Sequence, residues 1–206
     1  MTAVEETYGF TSKELEGFRR LKDPYGIQRF LYDLPYHHAG SAWSPRLVLR
    51  EKTAHCLEGA IFAAAALRVN GFRPLIIDFE ATRDTDHVLA VYQVDGCWGA
   101  IAKSNFSGLR YREPVYRSLR ELAMSYFEDY FNLLGERTLR RYSAPVNLKR
   151  FDRLNWMTTE KPVWFIPDYL TKIDHYPLIS RGQINRLHRV DKHSLQAGLV
   201  GHSRED

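Results

Sequence analysis

Cys56 stands two residues into the alanine-rich run 54–70, AHCLEGAIFAAAALRVN, and His87 opens the apolar run 87–94, HVLAVYQV. A thiol and an imidazole are the parts that nucleophilic attack on a carbonyl carbon needs: a nucleophile, and a base within hydrogen-bond reach of it. A cysteine in the first turn of a helix lies near unpaired backbone N–H groups and the positive end of the helix dipole, which favour thiolate and lower its pKa. The same N–H groups can receive the oxyanion formed when the thiolate attacks. Each residue alone has a plainer reading. A free cysteine is most often a small buried hydrophobe, and a histidine at a strand end is most often a surface or capping group. Their order along the chain, followed by the polar cluster Lys103-Ser104-Asn105, favours the chemical reading.

A helix and a sheet must hold these groups. Leu57, Ile61, Ala64, Ala65 and Leu67 recur at helical spacing within 54–70, alanine is the best helix former, and Gly71 supplies the stop. So much alanine lets other backbone approach closely, which predicts a central, buried helix. Three strands are predicted after it, over 73–80, 87–94 and 97–104, the last two joined by Asp95-Gly96, a strong hairpin signal. Both faces of these runs are largely apolar, so the sheet is expected to be covered on each side. Upstream, Thr11 with Glu14 forms a capping box for a helix over 12–21, and Asp23-Pro24 opens another over 25–33. Residues 35–45 read as an ordered loop. Downstream, Ser118 with Glu121 opens a helix expected to stop near Gly135. Residues 138–180, rich in aromatics and proline, are expected to wrap the core irregularly, and 181–206 to form a basic extension, a helix with a frayed tail.

This order resembles the transglutaminase-like branch of the papain-like cysteine protease and acyltransferase superfamily. The resemblance covers residues 25–105 and rests on AHCLEGAIFAAAALRVNGFRP and DHVLAVYQVDGCWGAI, with FLYDLPYHH and RLVLREK as looser matches. It implies an α+β fold with a papain-like core, in which the nucleophile-bearing helix packs against an antiparallel sheet. It also implies thiol attack on an amide or acyl carbonyl through an acyl-enzyme, with a peptide or amide as substrate and no metal or organic cofactor. Cys56 matches the nucleophile and His87 the base. The family commonly places an aspartate four residues after the tryptophan that Trp98 matches, and here that position is Ala102. Asp86 and Asp95 fall beside the histidine and on the turn, outside the pattern. Two substitutes remain. A two-residue turn at Asp95-Gly96 sets His87 opposite Ser104, whereas a bulged three-residue loop brings Asn105 onto its face. Asn105 is the expected third member, since an amide oxygen can hold an imidazolium tautomer, with Ser104 as the alternative. The family's second oxyanion donor could be Trp43 or Tyr36.

Other candidates carry less. Glu58, in the first helical turn, reads as a carboxylate complementing the dipole. Cys97 sits past the turn, away from His87, and reads as inert. His37, His38, His55, His175, His188, His193 and His202 show no i,i+4 acidic pairing and no Cys-x-x-Cys companion, which argues against a structural zinc site. There is no glycine-rich phosphate loop and no G-x-S-x-G elbow. Arg137, Arg140, Arg141, Lys149, Arg150 and Arg153 read as a solvated basic face.

Composition narrows the rest. With 44% hydrophobic and 26% charged residues, the chain is neither disordered nor collagenous nor a disulfide scaffold. Its 29 basic residues are interleaved with 25 acidic ones, a net charge of +4 that argues against nucleic acid as a partner. Two cysteines point to a reducing compartment, and the absence of an apolar leader or of an 18-residue apolar run points to a cytoplasmic protein without a membrane partner. No repeat or linker divides 1–206, which reads as one transglutaminase-like domain with its core over about 25–135. Three functional readings follow. The first is a cysteine hydrolase or acyltransferase. The second, supported by Ala102, is a catalytically degenerate fold acting as a binding or scaffold module. The third is an acetyltransferase of the arylamine type, suggested by Cys56-x-Glu58 but lacking that family's glycine pair, where Thr53-Ala54-His55 stands instead.

Overall fold

Asp95 and Gly96 both adopt positive φ, 50° and 78°, as the central residues of a two-residue hairpin turn of the right twist must. In the computed structural model, which describes residues 6–203, the runs beside them pair as an antiparallel hairpin, β2 (His87–Val94) with β3 (Cys97–Ile101). Its register, Val94↔Cys97 through Ala90↔Ile101, is the regular one, without a bulge at the turn. On the other side β2 pairs with β1 (Leu75–Ala81). The rest of the sheet comes from segments whose sequence reads less clearly: β4 (Arg112–Tyr116), β5 (Leu139–Ser143), β6 (Val146–Asn147) and β7 (His175–Pro177). The order is β4-β3-β2-β1-β5-β7, with β6 also on β1, and every pairing is antiparallel. Pro114 is tolerated in β4 because that strand lies at the edge.

Alternation along the strands builds two apolar layers. Ile76, Val88, Ala90 and Tyr92 face one side, where α4 (Cys56–Val69) lies with α1 (Ser12–Arg19) and α2 (Pro24–Asp33). From Leu57 to Leu67 every residue of α4 is buried, which is what its alanine content allows. Gly59 is needed for this approach: a Cβ there would sit 2.5 Å from the Cβ of Lys103. Leu75, Ile77, Phe79, Leu89 and Val91 face the other side, covered by Leu122, Tyr126 and Tyr130 from α5 (Leu119–Met124) and the turns after it.

The expected capping is present at Thr11, Asp23 and Ser118. One helix was not anticipated, and three expectations are corrected. Ser44 caps an additional helix, α3 (Pro45–Glu51), with Pro45 in its first turn. The strand expected to reach residue 104 ends at Ile101, because the Gln28 side chain takes both backbone groups of Ala102 at 2.9 Å each way. The helix opened by Ser118 stops at Met124 rather than near Gly135: Ser125 Oγ donates to the Leu122 carbonyl, and the Arg112 guanidinium takes the Ser125 carbonyl. Residues 138–180 carry strands, a 3₁₀ helix (Leu148–Leu154) and α6 (Phe165–Leu170) instead of irregular chain.

The extension is docked as well. After α7 (Arg181–Ile184) and α8 (Lys192–Gly198), it is bonded to the body through Ser107, whose N–H donates to the Gly198 carbonyl at 2.9 Å. Among the described residues no helix is long and apolar enough to cross a membrane.

Candidate active site

Cys56 is the first residue of α4, as its helix-start position requires, and His87 is the first of β2. The two elements pack together with these ends aligned, and both side chains line one cavity of about 640 Å³, with Tyr36, His37, Tyr130 and Phe131 among its other walls. The Cys56 Sγ lies 4.0 Å from the Asp86 carbonyl oxygen. Because His87 pairs with Phe79, its ring points to the sheet face opposite α4, and the sulfur meets the backbone flanking the histidine. Among the described residues no hydrogen bond joins Sγ to the imidazole.

The His87 ring is oriented by a different partner from the one expected. Its Nε2 bonds to the Leu109 carbonyl oxygen at 3.0 Å. A carbonyl can only accept, so Nε2 carries the proton and, in the neutral ring, Nδ1 holds the lone pair. Burial lowers the His87 pKa to about 4, with the Leu109 carbonyl opposing that shift, so the imidazole is neutral at pH 7.

The expected third members lie elsewhere. Asn105 is bonded to Ser203, its Nδ2 donating to the Ser203 carbonyl at 2.8 Å and its Oδ1 accepting the Ser203 N–H at 2.8 Å. Ser104 Oγ accepts the Phe106 N–H at 3.0 Å. The regular hairpin register explains why Asn105 misses the histidine's face. Ala102 is fully buried in the layer that receives His87, and the Leu109 carbonyl supplies the acceptor that a carboxylate would have provided.

The thiol also departs from expectation. Burial raises its pKa; N–H groups of Val88, Leu57 and Cys56 itself pull the other way without prevailing, and the charge of Asp78 adds to the rise. Desolvation outweighs the helix terminus. Thiol and imidazole therefore rest as a neutral pair rather than as thiolate and imidazolium.

Of the two proposed oxyanion donors, Tyr36 lines the cavity, and its hydroxyl senses both the Cys56 backbone N–H and the thiol: burial first, then the thiolate charge, hold its pKa high, and the N–H lowers it. Trp43 is engaged elsewhere, its N–H on Glu58 Oε1 at 3.1 Å and its ring stacked on His37 at 4.2 Å. Glu58 is far more than a dipole partner. Fully buried, it accepts hydrogen bonds from Ser41 Oγ (2.6 Å), the Trp43 N–H (3.1 Å) and the His55 N–H (3.3 Å), and it pairs with His37 Nδ1 (3.1 Å). One carboxylate thus fixes the 36–44 loop against the start of α4.

Beside the site, Asp78 on β1 meets His175 Nε2 at 2.9 Å, and burial raises its pKa to about 6 against the pull of that histidine. Cys97 pairs with Val94 at the far end of β2. The basic stretch does not act as one patch: Arg137 pairs with Glu128, Arg141 with Glu80, and Arg150 lies 3.9 Å over the Tyr169 ring. Among the described residues no group of three or more His, Cys, Asp or Glu side chains is placed to hold a metal ion.

Leu109, Ser203 and the depth of Glu58's role escaped the sequence reading. Backbone acceptors have no residue signature, whereas Glu58 three residues after His55 could have been read as a reach-back cap.

Fold and site together define an α+β protein whose antiparallel sheet ends in a cavity lined by Cys56 and by several histidines, His87 among them. No protein-family model matches the chain, and no curated protein is a significant match.

Proposed function

We propose that this chain is a cytoplasmic thiol enzyme of the transglutaminase-like kind, built on a papain-like core, acting on a peptide or amide carbonyl. The observation that carries this reading is the shared cavity of Cys56 and His87, with the cysteine at the head of α4. From a neutral pair, the thiol proton passes through one water in the shared cavity to the His87 Nδ1 lone pair as sulfur bonds to the carbonyl carbon, a general-base step rather than attack by a preformed thiolate. The electron pair displaced from the C=O bond goes to oxygen, which the Cys56 N–H and the Tyr36 hydroxyl are placed to receive. Collapse breaks the C–N bond, His87 returns the proton to the leaving amine, and a thioester remains on Cys56. Water or a second amine, deprotonated by His87, then attacks the thioester and regenerates the thiol.

The test is acylation by p-nitrophenyl acetate. Wild-type protein should release p-nitrophenolate and carry one acetyl group on Cys56 by mass spectrometry. Cys56→Ala should carry none, and His87→Gln should slow acylation by about 10²–10⁴, the size of a lost general base. Equal acylation of wild type and His87→Gln would refute the assignment.

A second reading, a degenerate fold acting as a binding or scaffold module, is favoured by one observation: Ala102 is fully buried where a carboxylate would stand, and the resting thiol is un-ionised. Folded protein that leaves p-nitrophenyl acetate and peptide amides untouched decides for it.

A further inference from the structure

The cavity mouth lies between two loops, 37–40 on one side and 104–106 on the other, and residues 202–203 cross between them. Ser203 bonds to both: its Oγ meets His38 Nε2 at 2.8 Å, and its backbone meets Asn105. The Asn105 contact has a particular form. One side-chain amide accepts the N–H and donates to the carbonyl of the same residue, both at 2.8 Å, which is the pair of bonds that a neighbouring β-strand offers an extended chain. Asn105 Oδ1 also accepts the Ser203 hydroxyl at 3.1 Å, so the contact reads the main chain and a hydroxyl side chain together. His202 sets its ring edge-on to Phe106 at 5.2 Å, and both line the cavity with Ser203. α8 anchors the crossing from behind, where Ser107 Oγ donates to the Ala197 carbonyl at 2.6 Å and Ser107 N–H to the Gly198 carbonyl.

We propose that this mouth is a binding site for a peptide main chain, with Asn105 as its clamp and the chain's own segment 198–203, a turn off α8 that presents Ser203, as the resident occupant. The proposal rests on the thiol-enzyme reading only in that a peptide displacing the segment would lie beside Cys56. A tethered occupant holds its site at high effective concentration, so an external peptide competes poorly until the segment is released. The C-terminal segment is thus a built-in competitor over the Cys56 cavity.

Iodoacetamide alkylation of Cys56, followed by peptide-mapping mass spectrometry to separate it from Cys97, tests this in the full-length chain. Ser203→Pro removes the N–H that Asn105 Oδ1 accepts and should speed alkylation roughly five- to tenfold, the equivalent of about one lost hydrogen bond. The blocked hexapeptide Gly-Leu-Val-Gly-His-Ser, the sequence of 198–203, should restore protection when added to Ser203→Pro. Asn105→Ala should also alkylate faster, but the hexapeptide should not protect it. Thermal melts within a degree or two of wild type would show that both variants are folded. Equal alkylation of wild type and Ser203→Pro would overturn the proposal, as would equal protection of Asn105→Ala. These outcomes are independent of turnover: if the thiol-enzyme reading fails, ester acylation is lost while the alkylation pattern stands.

Discussion

The Nε2–H of His87 donates to the carbonyl oxygen of Leu109, and this bond aims Nδ1 as the ring's only lone pair. A peptide carbonyl therefore fills the place where the resemblance anticipated a side chain. A carbonyl orients the ring as an amide oxygen would, but it adds no negative charge, so nothing offsets the cost of ionising a buried imidazole.

Asn105→Ala should consequently leave the His87 tautomer unchanged. The ¹⁵N shifts of the His87 ring should report protonated Nε2 and unprotonated Nδ1 in wild type and variant alike. A tautomer switch or ring averaging in the variant would restore Asn105 to the role first expected of it.

The neutral pair also sets the pH response of the thiol. With Cys56 raised above its ordinary value and His87 lowered to about 4, no thiolate plateau exists in mild acid. Alkylation should stay low from pH 5 to 7 and rise in one step above about pH 8.5, the ordinary cysteine value. A shoulder between pH 5 and 7 would demonstrate an ion pair and count against the neutral resting state.

Asp78 offers a stability measurement. His175 Nδ1 bonds to the Ile173 carbonyl and so carries a proton, which leaves a single proton for the contact between Nε2 and Asp78. The folded pKa of Asp78 is about 6 against an ordinary 3.8, so the folded chain favours the protonated acid. That contribution is complete below about pH 4 and is lost as pH rises through 6, a difference of roughly 3 kcal/mol between the two limits. An asparagine can donate to Nε2 without ionising. Asp78→Asn should therefore gain stability relative to wild type between pH 4 and 7, measured as the difference in urea midpoints. A difference that does not change with pH would show that Asp78 titrates normally.

Glu58 should be among the most sensitive positions outside the pair. Glu58→Ala removes an acceptor shared by Ser41, Trp43 and His55 and leaves their donors buried. The cost should be about 3 kcal/mol or more in urea unfolding, with loss of the Trp43 fluorescence environment. A change below 1 kcal/mol would mean that water replaces the carboxylate.

The sequence was most legible where chemistry is local. Asp95-Gly96 determined the hairpin, Thr11, Asp23 and Ser118 capped their helices, and the helix-start and strand-start rules placed Cys56 and His87 at one end of the sheet. Ser44-Pro45 carried the same kind of signal for α3, but the aromatic, serine- and proline-bearing context around it read as loop. What stayed illegible came from long-range partners. Gln28 ends β3 early, and the Leu109 carbonyl orients the His87 ring without any residue identity of its own. Arg140 and Arg141 read as a solvated face because they fall in the middle of β5, whose buried residues, Leu139 and Ser143, stand only at its ends.

Gln28 and Lys103 link the order of synthesis to the order of assembly. The Gln28 amide waits through 74 residues for the backbone of Ala102, and Lys103, next to emerge, closes the carbonyls of Leu31 and Leu34 at the end of α2. Before residue 103 is made, α1 can already rest on α4, with Phe18 against Phe62 and the Asn70 amide on the Phe18 carbonyl, but the end of α2 lacks its polar latch. A nascent chain that ends a few residues earlier would hold α1 on α4 but leave the end of α2 unlatched, and one that ends a few residues later would close α2 against a finished hairpin.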